Sequence, residues 1–369
     1  MDIKKQTAIV YCDKEFGLVD GKTAAGLIRH SELYDIIGVI DSLLGGQDAG
    51  EALGEKRNGI PIFTNLEEAL GGIAEVPLCY IYGKAPLDID ICNAERVLVI
   101  EAMAKGMNII SGLHQFFSED AEFVAASVEH QVTITDIRKP PQIQKLCVFT
   151  GKIAEVTVPV VAVLGTDCAC GKMTTAVELN KAFNQIGVKS VLVATGQTAL
   201  MQGAKYGRSI DALVSQFVIG EIEDSVLQAV EHENPDIILM EGQGAVGHPA
   251  FMSSTAILKG SLPGGVVLQH APARKVRCDF PQLPMPTLES EIKLIEAVSK
   301  AKVMAITINH EDLSDSEMLK SIKDYEQRLG LPALDVLIHG CDKLIQALGN
   351  NFPTLGNKLR ELKFAKVPA

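Results

Sequence analysis

The chain has 369 residues, 47% of them hydrophobic, no Trp and a formal net charge of −12. This composition builds packed cores rather than a disordered chain, and the length suits two domains of ordinary size. The acidic balance argues against nucleic acid as a partner, and no apolar run reaches the length of a membrane span, so a small-molecule substrate is the expected ligand.

Short β-branched runs alternate with helical patterns along the chain. That alternation predicts an α/β protein with parallel sheets wound by helices. In the first half, strands are expected near 7–11, 36–40, 77–82, 108–111 and 132–135, with helices near 21–29, 65–70, 94–105 and 119–130. Pro140-Pro141 stops regular structure. The domain boundary is placed just beyond, giving a Rossmann-like domain at 1–145 and a second domain at 146–369, with a bridging strand at 146–149. In the second half, strands are expected near 160–164, 190–194, 237–240, 266–269, 303–308 and 334–338. Helices are expected near 174–186, 221–231, 289–300 and 315–329, and the tail after Leu348 is expected to be loose.

The eight Cys lie mostly inside apolar runs, where a free thiol behaves as a small hydrophobe. Cys168-Ala169-Cys170 lacks the spacing of a zinc knuckle and has no matching second pair. No disulfide framework, metal cluster or signal-peptide core is read, so a reducing cytoplasm is the expected compartment. The apolar content makes a homo-oligomer the expected assembly.

In the first half, Gly17-Leu18-Val19-Asp20-Gly21-Lys22-Thr23 looks like a shortened phosphate loop, and Asp41 closes the second strand where a Rossmann acid would meet a ribose. No Gly-x-Gly-x-x-Gly is present, so a dinucleotide site stands against a packing or recognition role for this domain. His114 is a candidate for lining a crevice.

The strongest signal is Val160-Val161-Ala162-Val163-Leu164 followed by Gly165, Thr166, Asp167, Cys168, Ala169, Cys170, Gly171, Lys172, Met173, Thr174 and Thr175. It reads as a buried strand, a glycine-bounded loop and a helix start. Backbone N–H groups and the positive end of the helix dipole then face an anion, and Lys172 adds a point charge. The spacing Gly-x5-Gly-Lys is one residue longer than the common form. Met173 occupies the place where a hydroxyl usually binds magnesium, and the hydroxyls follow at Thr174 and Thr175. Glu241 ends an apolar strand, where a carboxylate can hold magnesium beside nucleotide phosphates. Asp167 either joins Thr174 and Glu241 as a magnesium ligand or braces the loop through backbone N–H groups. Lys172, Glu241 and His248 are the candidate catalytic residues, with His248 or Glu241 as the proton acceptor. Arg274 is a candidate clamp for a substrate carboxylate, and Gln243, His270 and Asn309 are further candidates for contacting the substrate.

Three ordered segments resemble dethiobiotin synthetase and related amidoligase-type P-loop enzymes: Gly165-Thr166-Asp167-x3-Gly171-Lys172, Glu241-Gly242-Gln243-Gly244 and Ile308-Asn309-His310-Glu311-Asp312-Leu313. The lysine of those synthetases after their second strand is missing here; the region reads Thr195-Gly196-Gln197-Thr198. Over nearly the whole length, the segments 136–141, 165–175 and 241–249 are similar to a two-domain family of largely unknown function, also labelled NAD-dependent epimerase/dehydratase-like. It joins a Rossmann-like half to a P-loop half and includes D-glutamate N-acetyltransferases. That resemblance implies two doubly wound domains, Rossmann-like followed by a P-loop NTPase-type parallel sheet. It also implies transfer of acetyl from acetyl-CoA to a small acidic amino acid, with CoA phosphates on the 165–175 loop. Two alternatives stand beside it: an ATP- and magnesium-dependent carboxylate-activating ligase or kinase, and a non-catalytic nucleotide-binding protein.

Overall fold

A computed structural model of the chain describes residues 4–86 and 91–365. The chain divides into two compact units, one of Met1–Pro141 with Gln197–Ala204 and the other of Gln142–Gly196 with Lys205–Ala369.

The first unit is an all-parallel six-stranded sheet of β1 (Gln6–Tyr11), β2 (Tyr34–Ile40), β3 (Ile62–Phe63), β4 (Cys79–Tyr82), β5 (Asn108–Ser111) and β6 (Ile134–Asp136). Its order, β3-β2-β1-β4-β5-β6, is that of a Rossmann fold. Parallel strands are covered on both faces, so their apolar runs are nearly continuous, and all four residues of β4 are buried. Tyr11, Tyr80 and Tyr82 share one face with Phe117 and Phe123, whose ring centroids lie 4.7 Å apart. The short helix Gln197–Gln202 belongs to this unit. Its Thr198 hydroxyl pairs with that of Thr23 at 2.9 Å, and Gln202 donates to the Gly26 carbonyl at 2.7 Å. A Cβ at Gly112 would sit 2.8 Å from Gln197 Cγ, so glycine is required there by the helix's approach.

The second unit is an all-parallel seven-stranded sheet of β7 (Val160–Gly165), β8 (Ser190–Ala194), β9 (Tyr206–Gly207), β10 (Ile237–Glu241), β11 (Gly265–His270), β12 (Lys302–Ile308) and β13 (Ala333–Leu334). The order is β13-β12-β11-β7-β10-β8-β9. β7 therefore lies between β10 and β11, with Glu241 in register with Val163 and Gln269 with Gly165. Its side chains alternate between two cores. Val160, Ala162 and Leu164 join Ile238, Met240 and Leu268, while Val161 and Val163 join Leu239, Val267 and Phe183.

Three expectations fail here for identifiable reasons. Residues 146–149 form no strand. Their backbone lies against the helix Ser215–Glu233, where Cys147 N donates to Glu221 Oε1 at 2.7 Å and Ile153 N to Glu223 Oε1 at 3.1 Å. Two buried carboxylates thus take the place of a strand neighbour. The last strand stops at Leu334, because the Asp335 side chain accepts from Leu337 N and Ile338 N and starts the helical turn Val336–His339. The tail beyond Leu348 is helical (Asp342–Asn351 and Pro353–Ala365) and buries Leu348 and Leu355 in the core. Among the described residues, no helix is long and apolar enough to cross a membrane.

Candidate functional site

β7 delivers the chain to Gly165 at the carboxyl edge of the sheet, and the helix Lys172–Gln185 leads it away. Between them the loop folds through two left-handed positions, Ala169 at φ +45° and Gly171 at φ +103°. A side chain at Gly171 would be strained by that angle and would meet Gln269 Nε2 at 3.2 Å. Gly165 is needed for space, because a Cβ there would lie 2.7 Å from Lys172 Cδ and 2.8 Å from Cys170 Sγ. The amides of Cys168, Ala169, Cys170 and Gly171 donate to no other group among the described residues. They precede the positive end of a 14-residue helix, an arrangement suited to receiving an anion. Lys172 is buried, and its ammonium donates to the Asp167 carbonyl inside the loop.

The loop is held from the neighbouring β11. Thr166 N donates to the Gln269 carbonyl at 3.0 Å, and the Thr175 hydroxyl to Gln269 Oε1 at 2.7 Å. Below it, Asp167 is fully buried among cations. Its Oδ2 accepts from Arg274 Nη1 at 3.2 Å and from Cys278 N at 2.9 Å, while Arg277 reaches Oδ1 at 3.5 Å. Two guanidiniums and a backbone amide thus engage the carboxylate, the loop-bracing role that stood beside a magnesium role for Asp167.

Arg274 has a different task from the expected carboxylate clamp. Nε and Nη2 engage the two oxygens of Glu311, Nη1 donates to Asp167 and the Cys168 carbonyl, and Nη2 to the Ala169 carbonyl. All five N–H donors are engaged within the unit, so Arg274 fixes the loop. Asn309 is drawn into the same brace. Its amide donates to Glu311 Oε2 at 2.7 Å and its oxygen accepts from Glu311 N at 3.1 Å. His270 is buried, with Nδ1 2.8 Å from the Thr166 hydroxyl. Burial, aided by Arg274, pushes it down to about 4, so at neutral pH it is an uncharged loop support.

The expected metal acid lies one strand away. Glu241 is buried at the end of β10, where its Oε2 accepts from Thr195 N at 2.8 Å and Gly196 N at 3.0 Å. Burial outweighs those amides and pushes its carboxyl up to about 7. Its Oε1 accepts no hydrogen bond among the described residues. Gln243 donates to the Thr195 carbonyl beside it. Of the loop's two hydroxyls, Thr175 is committed to Gln269, whereas Thr174 makes no hydrogen bond among the described residues.

His248 comes within 3.7 Å of Asp167 Oδ1 through a buried Nε2 that has no hydrogen-bond partner. Its Nδ1 accepts from Ala250 N at 3.2 Å, so in the neutral ring Nε2 carries the proton. Burial and Arg277 hold its pKa below the ordinary value. Asp167, Cys168 and His248 place three potential metal-ligating atoms within 4.8 Å of one another. The tautomer at Nε2 makes the imidazole a hydrogen-bond donor there rather than a ligand.

Four residues of this brace escaped the sequence reading: Arg277, Cys278, Glu291 and Glu311. Glu291 accepts from Val246 N and Gly247 N and so positions the segment carrying His248. Only Glu311 falls inside a motif segment, at an unspecified position of 308–313, and the partners of the four lie up to 111 residues away in sequence. The Arg274/Arg277 spacing was the one available hint.

In the first unit, the shortened loop and the ribose acid serve the fold. Thr23 pairs with Thr198, and Asp41 accepts from Phe16 N, Leu43 N and Leu44 N, which corrects the ribose expectation.

The P-loop domain model of DUF1611, a domain of unknown function, matches residues 147–345, and its Rossmann-like N-terminal domain model matches residues 43–140. A "D-glutamate N-acetyltransferase" of Tritonibacter scottomollicae is 28% identical over 289 residues, covering 77% of this chain and 84% of that protein. Another of the same name, from a Pseudoalteromonas species, is 32% identical over 257 residues, 68% of this chain and 75% of its own. The crystal structure of a DUF1611 family protein from Anabaena variabilis superposes with a TM-score of 0.86 at 30% identity, covering 94% of this chain and all of that one.

Proposed function

The chain belongs to the DUF1611 family, and from that premise we propose that it is an N-acetyltransferase that moves acetyl from acetyl-CoA to the amine of a small acidic amino acid such as D-glutamate. The observation that carries this reading is the nest of free amides at 168–171 beside Lys172, in a chain whose relatives bear that name over most of their length. The amides bind the CoA phosphates, and Lys172 exchanges the Asp167 carbonyl for a phosphate oxygen. Glu241 takes the proton from the substrate ammonium before the amine attacks the thioester. A carboxyl raised to about 7 has the proton affinity that a base needs at neutral pH. His248, whose Nδ1 is occupied and whose pKa is lowered, is the weaker base.

Release of free thiol from acetyl-CoA, dependent on D-glutamate and with N-acetylglutamate as the product, tests this reading. No release with D-glutamate or other small acidic amino acids sinks it.

A second reading, an ATP- and magnesium-dependent carboxylate-activating ligase or kinase, has one observation in its favour. Glu241 Oε1 and the Thr174 hydroxyl are oxygen atoms without hydrogen-bond partners among the described residues, and oxygens are the ligands magnesium takes. Magnesium-dependent ADP release that disappears in Lys172→Ala would select it.

A further inference from the structure

Three of the eight cysteines crowd the phosphate loop or the segment that braces it, and the mechanism above uses none of them. Cys170 is fully buried, with its thiol on the carbonyls of Asp167 (3.3 Å) and Gln269 (3.8 Å), and is shielded from reagents. Cys168 and Cys278 are both partly exposed. Cys278 is held against the loop twice: its backbone N donates to Asp167 Oδ2 at 2.9 Å, and its thiol lies 3.5 Å from the carbonyl oxygen of Cys168. Two cysteines 110 residues apart in sequence therefore meet at the loop that carries the anion nest.

We propose that Cys168 and Cys278 form a peroxide-sensitive dithiol whose oxidation to a disulfide shuts the phosphate loop. The claim of closure rests on the reading of residues 165–175 as the phosphate site.

Chemistry favours Cys168 as the attacking sulfur. Hydrogen bonding from Cys278, aided by the Lys172 ammonium, holds its thiol below the ordinary value, and the same contact pushes Cys278 up. In the first step, the Cys168 thiolate attacks one oxygen of hydrogen peroxide. The O–O bond breaks, a sulfenic acid forms, and hydroxide leaves to take up a proton as water. In the second step, the Cys278 sulfur gives up its proton, attacks the Cys168 sulfur and displaces hydroxide, which leaves as a second water. Two thiols lose two electrons in total, and one peroxide gains them.

The S–S bond is about 2.05 Å long and fixes its torsion, so the two side chains must turn toward each other to form it. Cys168 adjoins Ala169, which holds a left-handed conformation at φ +45°. Pulling residue 168 toward 278 moves the amides at 168–171 out of their common concavity, and the anion loses its donors.

The experiment uses the full chain, reduced and then treated with graded hydrogen peroxide. Non-reducing digestion with mass spectrometry locates the bonds, and the thermal shift given by coenzyme A reports on the loop. The expected result is a 168–278 cross-link with loss of two thiols, at least a tenfold loss of coenzyme A affinity, and full recovery with dithiothreitol. Cys278→Ser halts at the sulfenic acid, which a dimedone probe captures on Cys168, and Cys168→Ser gives no cross-link. Oxidation that first consumes the exposed Cys92 and leaves 168 and 278 reduced overturns the proposal, as does a mapped cross-link with unchanged coenzyme A binding. If the reduced chain binds no coenzyme A, the acetyl-CoA reading fails on its own, and the cross-link is then judged by mapping and by the loss of the shift given by inorganic pyrophosphate.

Discussion

Glu311 grips Arg274 by two points, and the guanidinium so oriented hydrogen-bonds the carbonyls of Cys168 at 2.8 Å and Ala169 at 2.9 Å. The carbonyls of Cys168 and Ala169 are thereby turned toward a half-buried guanidinium. The Glu311–Arg274 ion pair thus orients these loop carbonyls.

Arg274→Lys therefore acts as a loop mutation. A lysine cannot reproduce five donors in a fork, and it leaves Glu311 and Asp167 under-paired. We expect a loss of about 3 kcal/mol in chemical denaturation, the range for a broken buried pair, together with a coenzyme A affinity at least tenfold lower. A variant of unchanged stability would show the brace to be dispensable.

Lys172→Ala isolates the charge from the amides. Ligands that bind only the folded state raise the melting point in proportion to occupancy. The expected outcome is a normal melting curve without ligand and loss of most of the coenzyme A shift. A full shift would place the phosphate elsewhere.

Glu241→Gln tests the base. General-base catalysis contributes about 10²–10⁴-fold, so kcat should fall by that factor with little change in KM. With the carboxyl at about 7, wild-type activity should rise with pH around neutrality, because the deprotonated form is the competent one; a flat profile across pH 6–8 would exclude Glu241 as the base. Stability moves the opposite way. The folded-state value lies above the ordinary 4.5, so the neutral carboxyl's contribution is complete below about pH 4.5 and is lost as pH rises through 7, by on the order of 3 kcal/mol. The Gln variant should lack that slope in denaturation series from pH 5 to 8.

Leu348→Ala tests the helical tail. Leu348 is fully buried with Leu344 and Leu355, so the cavity should cost about 2–5 kcal/mol. A neutral result would mean that the helix Asp342–Asn351 is not docked.

The parts legible in the sequence are those that local chemistry determines. β7 and its loop were readable because a five-residue apolar run, two glycines and Lys172 fall within thirteen residues, and Glu241 because it terminates an apolar strand. The brace was not readable: Arg274 looked like a substrate clamp until Glu311 and two loop carbonyls claimed its donors. Which charges pair across such separations is a tertiary property that no local window contains. The strand expected at 146–149 failed for a related reason, since the carboxylates that replace its partner come from residues 221 and 223.

The excursion of residues 197–204 into the first unit has a consequence for how the protein is made. That unit buries Met201 and receives hydrogen bonds from Thr198 and Gln202. It therefore stays incomplete on the ribosome until about 70 residues past its own last sheet strand have been translated. Cutting the gene after Pro141 would give a first half that lacks its closing helix and a second half that carries it without a home. For this chain, splicing the halves onto unrelated proteins should yield insoluble products unless the excursion is moved as well.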